Sequence, residues 1–220
     1  MVWSGNCQYK GSGDYGYGWF LSKFKDKIIT KDITSAEYMF QGCKEESIPF
    51  EINLKNDSSI SFYRMYSNCR SFKQLPKING SNIDISNFSN MFYSCFMIKT
   101  IPEDYFNFVN WDSLHTNPSA NCSSMFSNCN SLREIPKQIC KNSWSSGTTS
   151  SYNNLFNTFS NCYSLNKILD WAVTRSNGIS SNCGWNTFSY CSNLSRFTFE
   201  KNEDGTAKTA NMKNTTLDFS

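Results

Sequence analysis

Six times along the chain an aromatic residue stands three places before a cysteine, in YMFQGC, RMYSNC, NMFYSC, SMFSNC, NTFSNC and NTFSYC. The steps between Cys43, Cys69, Cys95, Cys129, Cys162 and Cys191 are 26, 26, 34, 33 and 29 residues. A repeat of that length is one supersecondary unit, so the chain is expected to fold as an array in which each unit packs only against its neighbours. An array of this kind offers long surfaces rather than one enclosed pocket, which makes binding the first function to consider.

Counting from each repeat cysteine, apolar or small residues recur at minus seven (Ala36, Phe62, Phe88, Cys122, Leu155), minus four (Met39, Met65, Met91, Met125), minus three (Phe40, Tyr66, Phe92, Phe126, Phe159, Phe188) and plus three (Phe72, Ile98, Leu132, Leu165, Leu194). These offsets trace one face of a helix and predict an amphipathic helix of about three turns in each unit. Ser and Asn stand just ahead of it, at Ser58, Ser59, Ser86, Asn87, Ser119, Asn121, Ser180 and Ser181, where a side-chain oxygen can cap free N–H groups. Beyond it come Ile48-Pro49, Leu75-Pro76, Ile101-Pro102 and Ile135-Pro136. Proline ends a helix and holds the preceding residue extended, so a short strand is predicted there, and the strands of stacked units would form a parallel ribbon.

The strings MFSNCNSLREIP, MYSNCRSFKQLP and MFYSCFMIKTIP resemble the BspA-like leucine-rich repeats, from about Ser35 to Phe199. The resemblance implies an α/β leucine-rich-repeat solenoid of short helices and short parallel strands, with non-enzymatic roles in adhesion and recognition. Versions reading MF-x-x-C are also similar to those in structural proteins of phages of gut Bacteroidetes. Departures from the pattern are the uneven unit lengths, Thr158 and Thr187 in place of Met, and no proline after Ile168 or Phe197.

Ten cysteines would suggest disulfides in a secreted protein. Cys122 and Cys129, seven apart on a helix, would have Cα atoms roughly 10 Å apart, and packed helices lie roughly 8–10 Å apart, both beyond disulfide reach. The column cysteines are therefore expected free, buried and small enough to let helices approach. On that view Cys129→Ser costs about 1–3 kcal/mol, for a hydroxyl with no assured partner, and Cys129→Ala less. No C-x-x-C occurs and the chain has one histidine, so no metal and no cofactor is expected. Cys7 and Cys140 lie off the main columns.

Charged residues make up 18% of the chain, and the net charge of +3 is spread without runs, so neither nucleic acid nor membrane insertion is expected. Residues 1–34 read as a Gly- and Tyr-rich loop and a strand forming an N-terminal cap, residues 35–199 as six repeats, and residues 200–220 as a C-terminal β-hairpin or cap turning at Asp204-Gly205. The N-terminus lacks the pattern of a signal peptide, and the apolar alternation is unfinished at Ser220, so export by another route or a removed leader, and a continuation or partner beyond Ser220, are expected.

The longer units carry Tyr105, Phe106, Phe108, Trp111, His115, Trp144 and Trp171 in loops on equivalent edges. Aligned along one rim they would suit a glycan or a protein anchor, although packing beneath their own loops is the favoured reading for Phe106, Phe108 and Trp171, and the two readings stand even for Trp111 and Trp144. Catalysis finds no nucleophile elbow, phosphate loop or metal helix, and the adjacent pairs Glu45-Glu46 and Glu103-Asp104 do not oppose one another across a cleft. The expectation is a non-enzymatic structural and binding protein of a phage virion, contacting other virion proteins, a host-surface glycan or protein, or further copies of itself. A bacterial cell-surface adhesin is the alternative, and a glycan-cleaving enzyme the remote one.

Overall fold

The computed structural model describes residues 2–6, 29–111, 121–136, 139, 156–166 and 187–196. No α-helix occurs among them, and the stretch before each cysteine is a run of overlapping turns instead. In the unit of Cys95, the N–H groups of Met91, Tyr93 and Cys95 donate to the carbonyls of Phe88, Asn90 and Phe92, three residues back, each at 3.1 Å. The N–H groups between them leave the unit. Phe88, Asn90, Phe92 and Ser94 donate to Asn121, Ser123, Met125 and Ser127 of the next unit at 2.7–2.9 Å. Tyr38, Phe40 and Gly42 donate in the same way to the second unit, and Arg64, Tyr66 and Asn68 to the third. The alternation continues from Ser124, Phe126 and Asn128 into the fifth unit, and from Phe159 and Asn161 into the sixth.

Two positions make this path possible. The residues five and one before the cysteine have positive φ: Arg64 (54°) and Asn68 (61°), Asn90 (57°) and Ser94 (59°), Ser124 (54°) and Asn128 (63°), Asn157 (56°) and Asn161 (60°). A turn with its third residue left-handed is of type II, which favours Gly and Asn there. Asn holds the position before the cysteine in three units, and Gly42 holds it in the first, with φ 69°. The turns begin on side-chain caps, with Asn87 Oδ1 accepting from Ser89 N–H at 2.7 Å and Asn121 Oδ1 from Ser123 N–H at 2.8 Å. These are local Asx turns rather than helix caps. A helix keeps its hydrogen bonds to itself, whereas this ribbon sends every second N–H outward and so brings its neighbour to sheet-like spacing, roughly 4.8 Å.

The remaining elements are short and parallel. Strand β1 (Val2–Asn6) pairs with β2 (Ile29–Ser35). Strand β3 (Ile52–Asn53) pairs with β5 (Ile78–Asn79), each shortly after a proline, and β4 (Ser59–Ser61) pairs with β6 (Asp84–Asn87) just before the turn ribbon. Parallel bridges join Ile33 to Leu54, Ser47 to Gln74 and Ile83 to Val109. At Gly80 a Cβ would stand 3.1 Å from the Leu54 Cβ, so the close approach of these segments favours glycine. Residues 7–28 and 197–220 lie outside the described residues, the expected C-terminal hairpin among them.

The core follows the columns. Phe40, Tyr66, Phe92, Phe126, Phe159 and Phe188 stack in sequence, with ring centroids 5.2–5.6 Å apart and planes within 20° of parallel. Beside them Met39, Met65, Met91 and Met125 are fully buried, as are Phe72, Leu132, Leu165 and Leu194 at plus three. Each such aromatic side chain contributes about 1.5–3 kcal/mol by burial, and stacking adds about 0.5–1.5 kcal/mol. Thr158 takes the methionine position in the fifth unit, where its Oγ1 donates to the Cys122 carbonyl at 3.0 Å.

Candidate functional site: the cysteine column and the outward face

The loop aromatics of the third unit are placed inside the protein. Tyr105, Phe106 and Phe108 are 8%, 1% and 3% exposed, packed beneath their loop rather than along an open rim. Phe106 meets Phe88 edge-on at 5.8 Å, Phe108 tilts onto Phe62 at 5.6 Å, and Tyr105 packs on Phe92 at 6.4 Å. The Tyr105 and Tyr66 hydroxyls lie 3.3 Å apart, and burial raises the pKa of both phenols. The cause is plain: segment 103–109 folds back over the minus-seven column and closes the unit from the side. Trp111 is half-buried against Phe88 and Phe106, each at 6.1 Å, and its indole N–H is buried without a partner. His115, Trp144 and Trp171 lie outside the described residues.

The seven described cysteines are free and buried. Their thiols do more than fill space. Cys69, Cys95, Cys129, Cys162 and Cys191 donate through Sγ to the carbonyls of Phe40, Tyr66, Phe92, Phe126 and Phe159 at 3.0–3.1 Å. Each acceptor is the residue three before the cysteine of the preceding unit, and it also takes the N–H of that unit's own cysteine. Two donors from successive units thus meet at one oxygen. Burial pushes the thiols of Cys43, Cys129 and Cys191 up to about 12, and those of Cys95 and Cys162 well above their usual value. These groups are protonated donors at neutral pH and poor nucleophiles. Because the ribbons are joined by backbone hydrogen bonds, successive units lie at sheet-like spacing and the separation expected of packed helices does not apply to the cysteine column.

Facing away from the core are the offsets minus six, minus five and plus one. On the second unit Arg64 lies over its neighbour Tyr63, 5.3 Å from the ring centroid, while Tyr38 of the first unit meets the same ring edge-on at 5.1 Å. Burial and the adjoining Tyr63 raise the Tyr38 pKa. Across the ribbon Arg70 lies over Phe96, 5.4 Å from its centroid. Met97, Phe156, Tyr163 and Tyr190 are exposed further along. The sequence reading passed over these residues in favour of the loops. The signal was present in the columns: an aromatic or arginine at an offset that the repeat does not bury.

Glu103 and Asp104 are exposed, and Glu46 is engaged by Lys73 at 2.7 Å. Among the described residues no three His, Cys, Asp or Glu side chains gather as metal ligands do, and no helix is long and apolar enough to cross a membrane. No protein-family model, curated protein or solved structure matches the chain.

Proposed function

We propose that this chain is a non-enzymatic structural and binding protein of a bacteriophage particle, a solenoid of the leucine-rich-repeat type that contacts other virion proteins and the host surface. The observation that supports this reading most is the unit-to-unit ladder. Alternate N–H groups and, between every two successive units, a thiol join each turn ribbon to the next, and the aromatic column runs without a break through six units. A chain built this way is stiff along its stack and exposes one face of every unit, which suits a scaffold that presents a surface. The similarity of the MF-x-x-C strings to those of phage structural proteins carries the particle assignment.

The test is proteomic. Particles banded on a density gradient and digested for mass spectrometry are expected to contain the chain at a fixed ratio to the major capsid protein. Recovery only in bacterial envelope fractions would overturn the virion assignment and favour a cell-surface adhesin.

A further inference from the structure

We infer that the outward face of the first three units is a docking site for an anionic polysaccharide, centred on Tyr38, Tyr63, Arg64, Asn68, Arg70 and Phe96. The inference rests on the reading of the chain as a binding protein and names a ligand class and a surface for it. The guanidinium carbons of Arg64 and Arg70 lie over aromatic rings, 5.3 and 5.4 Å from the centroids of Tyr63 and Phe96. The two ion pairs among the described residues are Lys73 with Glu46 and Lys77 with Glu51, so neither arginine has a carboxylate at ion-pair distance there. Glu37, an acidic side chain, occupies in the first unit the offset that Tyr63 occupies in the second. A guanidinium fixed by stacking and lacking a partner is preorganised to take a carboxylate or sulfate in a two-pronged hydrogen bond.

Sugar rather than protein chemistry is favoured by what surrounds the arginines. Tyr63 and Phe96 are half-buried, as is Asn68, which stands in the left-handed turn position before Cys69. Rings set among amides offer a pyranose an apolar face and hydroxyl partners together. A protein anchor would call for a continuous apolar centre. The units also repeat at the spacing of the stacked core rings, 5.2–5.6 Å between centroids for the first three, close to the advance of one pyranose in an extended β-linked chain. A linear polymer laid along the stack would therefore meet equivalent positions on successive units.

Calorimetric titration of the full chain with a β-1,4-linked mannuronate hexamer, sulfated cellohexaose and neutral cellohexaose tests this. Binding to at least one anionic oligomer is expected, at least about tenfold tighter than to neutral cellohexaose, falling as salt rises. Arg64→Ala and Arg70→Ala should each weaken it by about tenfold, with Arg64→Lys intermediate and circular dichroism unchanged. Lys73→Ala removes the same charge elsewhere and should leave binding as it was. Preference for the carboxylate or the sulfate polymer identifies which anion the arginines read. Equal binding of neutral cellohexaose, no binding of either anionic oligomer, no effect of the arginine variants or an equal loss in Lys73→Ala would overturn the site. A chain present in particles that binds no anionic polymer refutes this site alone, whereas a chain that binds but is absent from particles refutes the virion reading alone.

Discussion

At the scale of the residue, the repeat cysteine is a hydrogen-bond donor between units. Cys129 Sγ lies 3.1 Å from the Phe92 carbonyl and is buried. Cys129→Ala removes that donor and leaves a small void, an expected cost of about 1–2 kcal/mol in urea unfolding. Cys129→Ser keeps a donor facing the same oxygen and should cost less, the reverse of the order expected from sequence. A serine variant less stable than the alanine variant would mean the thiol acts only by its bulk. The same burial makes stability depend on pH. An unfolded thiol loses its proton near 8.5, but those of Cys43, Cys129 and Cys191 hold theirs to about 12. Above about pH 8.5 the unfolded state binds fewer protons than the folded one, so the thiols' contribution, fully present below that pH, is lost as pH rises toward 12. Each of these three thiols should lower the unfolding free energy by on the order of 1 kcal/mol per pH unit in that window. Melting temperatures that stay flat from pH 8 to 10.5 would contradict this.

At the scale of the element, helix and turn ribbon bury the same columns, and this is where sequence reading divides into success and failure. The core positions Met39, Phe40, Met65, Tyr66, Phe92 and Leu132 were legible because any local fold that returns every three or four residues gives them one face. The kind of fold was not, since apolar spacing does not say whether an N–H turns inward or to a neighbour. The discriminating signal was polar: Gly42, Asn68, Asn128 and Asn161 just before the cysteine mark left-handed positions, which a helix interior does not use. Asn128, at φ 63°, gives the test. Asn128→Gly should change stability by less than about 0.5 kcal/mol, while Asn128→Val, β-branched in a left-handed conformation, should cost about 1–2 kcal/mol. In a helix the order would be reversed, with glycine the worse by about 0.5 kcal/mol. Packing of Phe106 and Phe108 beneath their own loop was legible in their apolar character, whereas the columns they pack on, Phe62 and Phe88, are visible only in the structure.

At the scale of the whole molecule, the account rests on hydrogen bonds that run from unit to unit in one direction. They carry the aromatic stack, place the thiol beside the neighbouring carbonyl and set the interval at which outward residues repeat. Because each interface is local, stability should accumulate from neighbour to neighbour along the array rather than from one central core. The direct measurement is nuclear magnetic resonance of couplings across hydrogen bonds, on deuterated protein labelled with nitrogen-15 and carbon-13. It is predicted to connect the amide nitrogens of Phe40, Tyr66, Phe92, Phe126 and Phe159 to the carbonyl carbons of Met65, Met91, Met125, Thr158 and Thr187. Couplings from those amides to carbonyls four residues earlier in the chain, from Phe92 to Phe88 for instance, would show helices in place of the ladder and contradict the account.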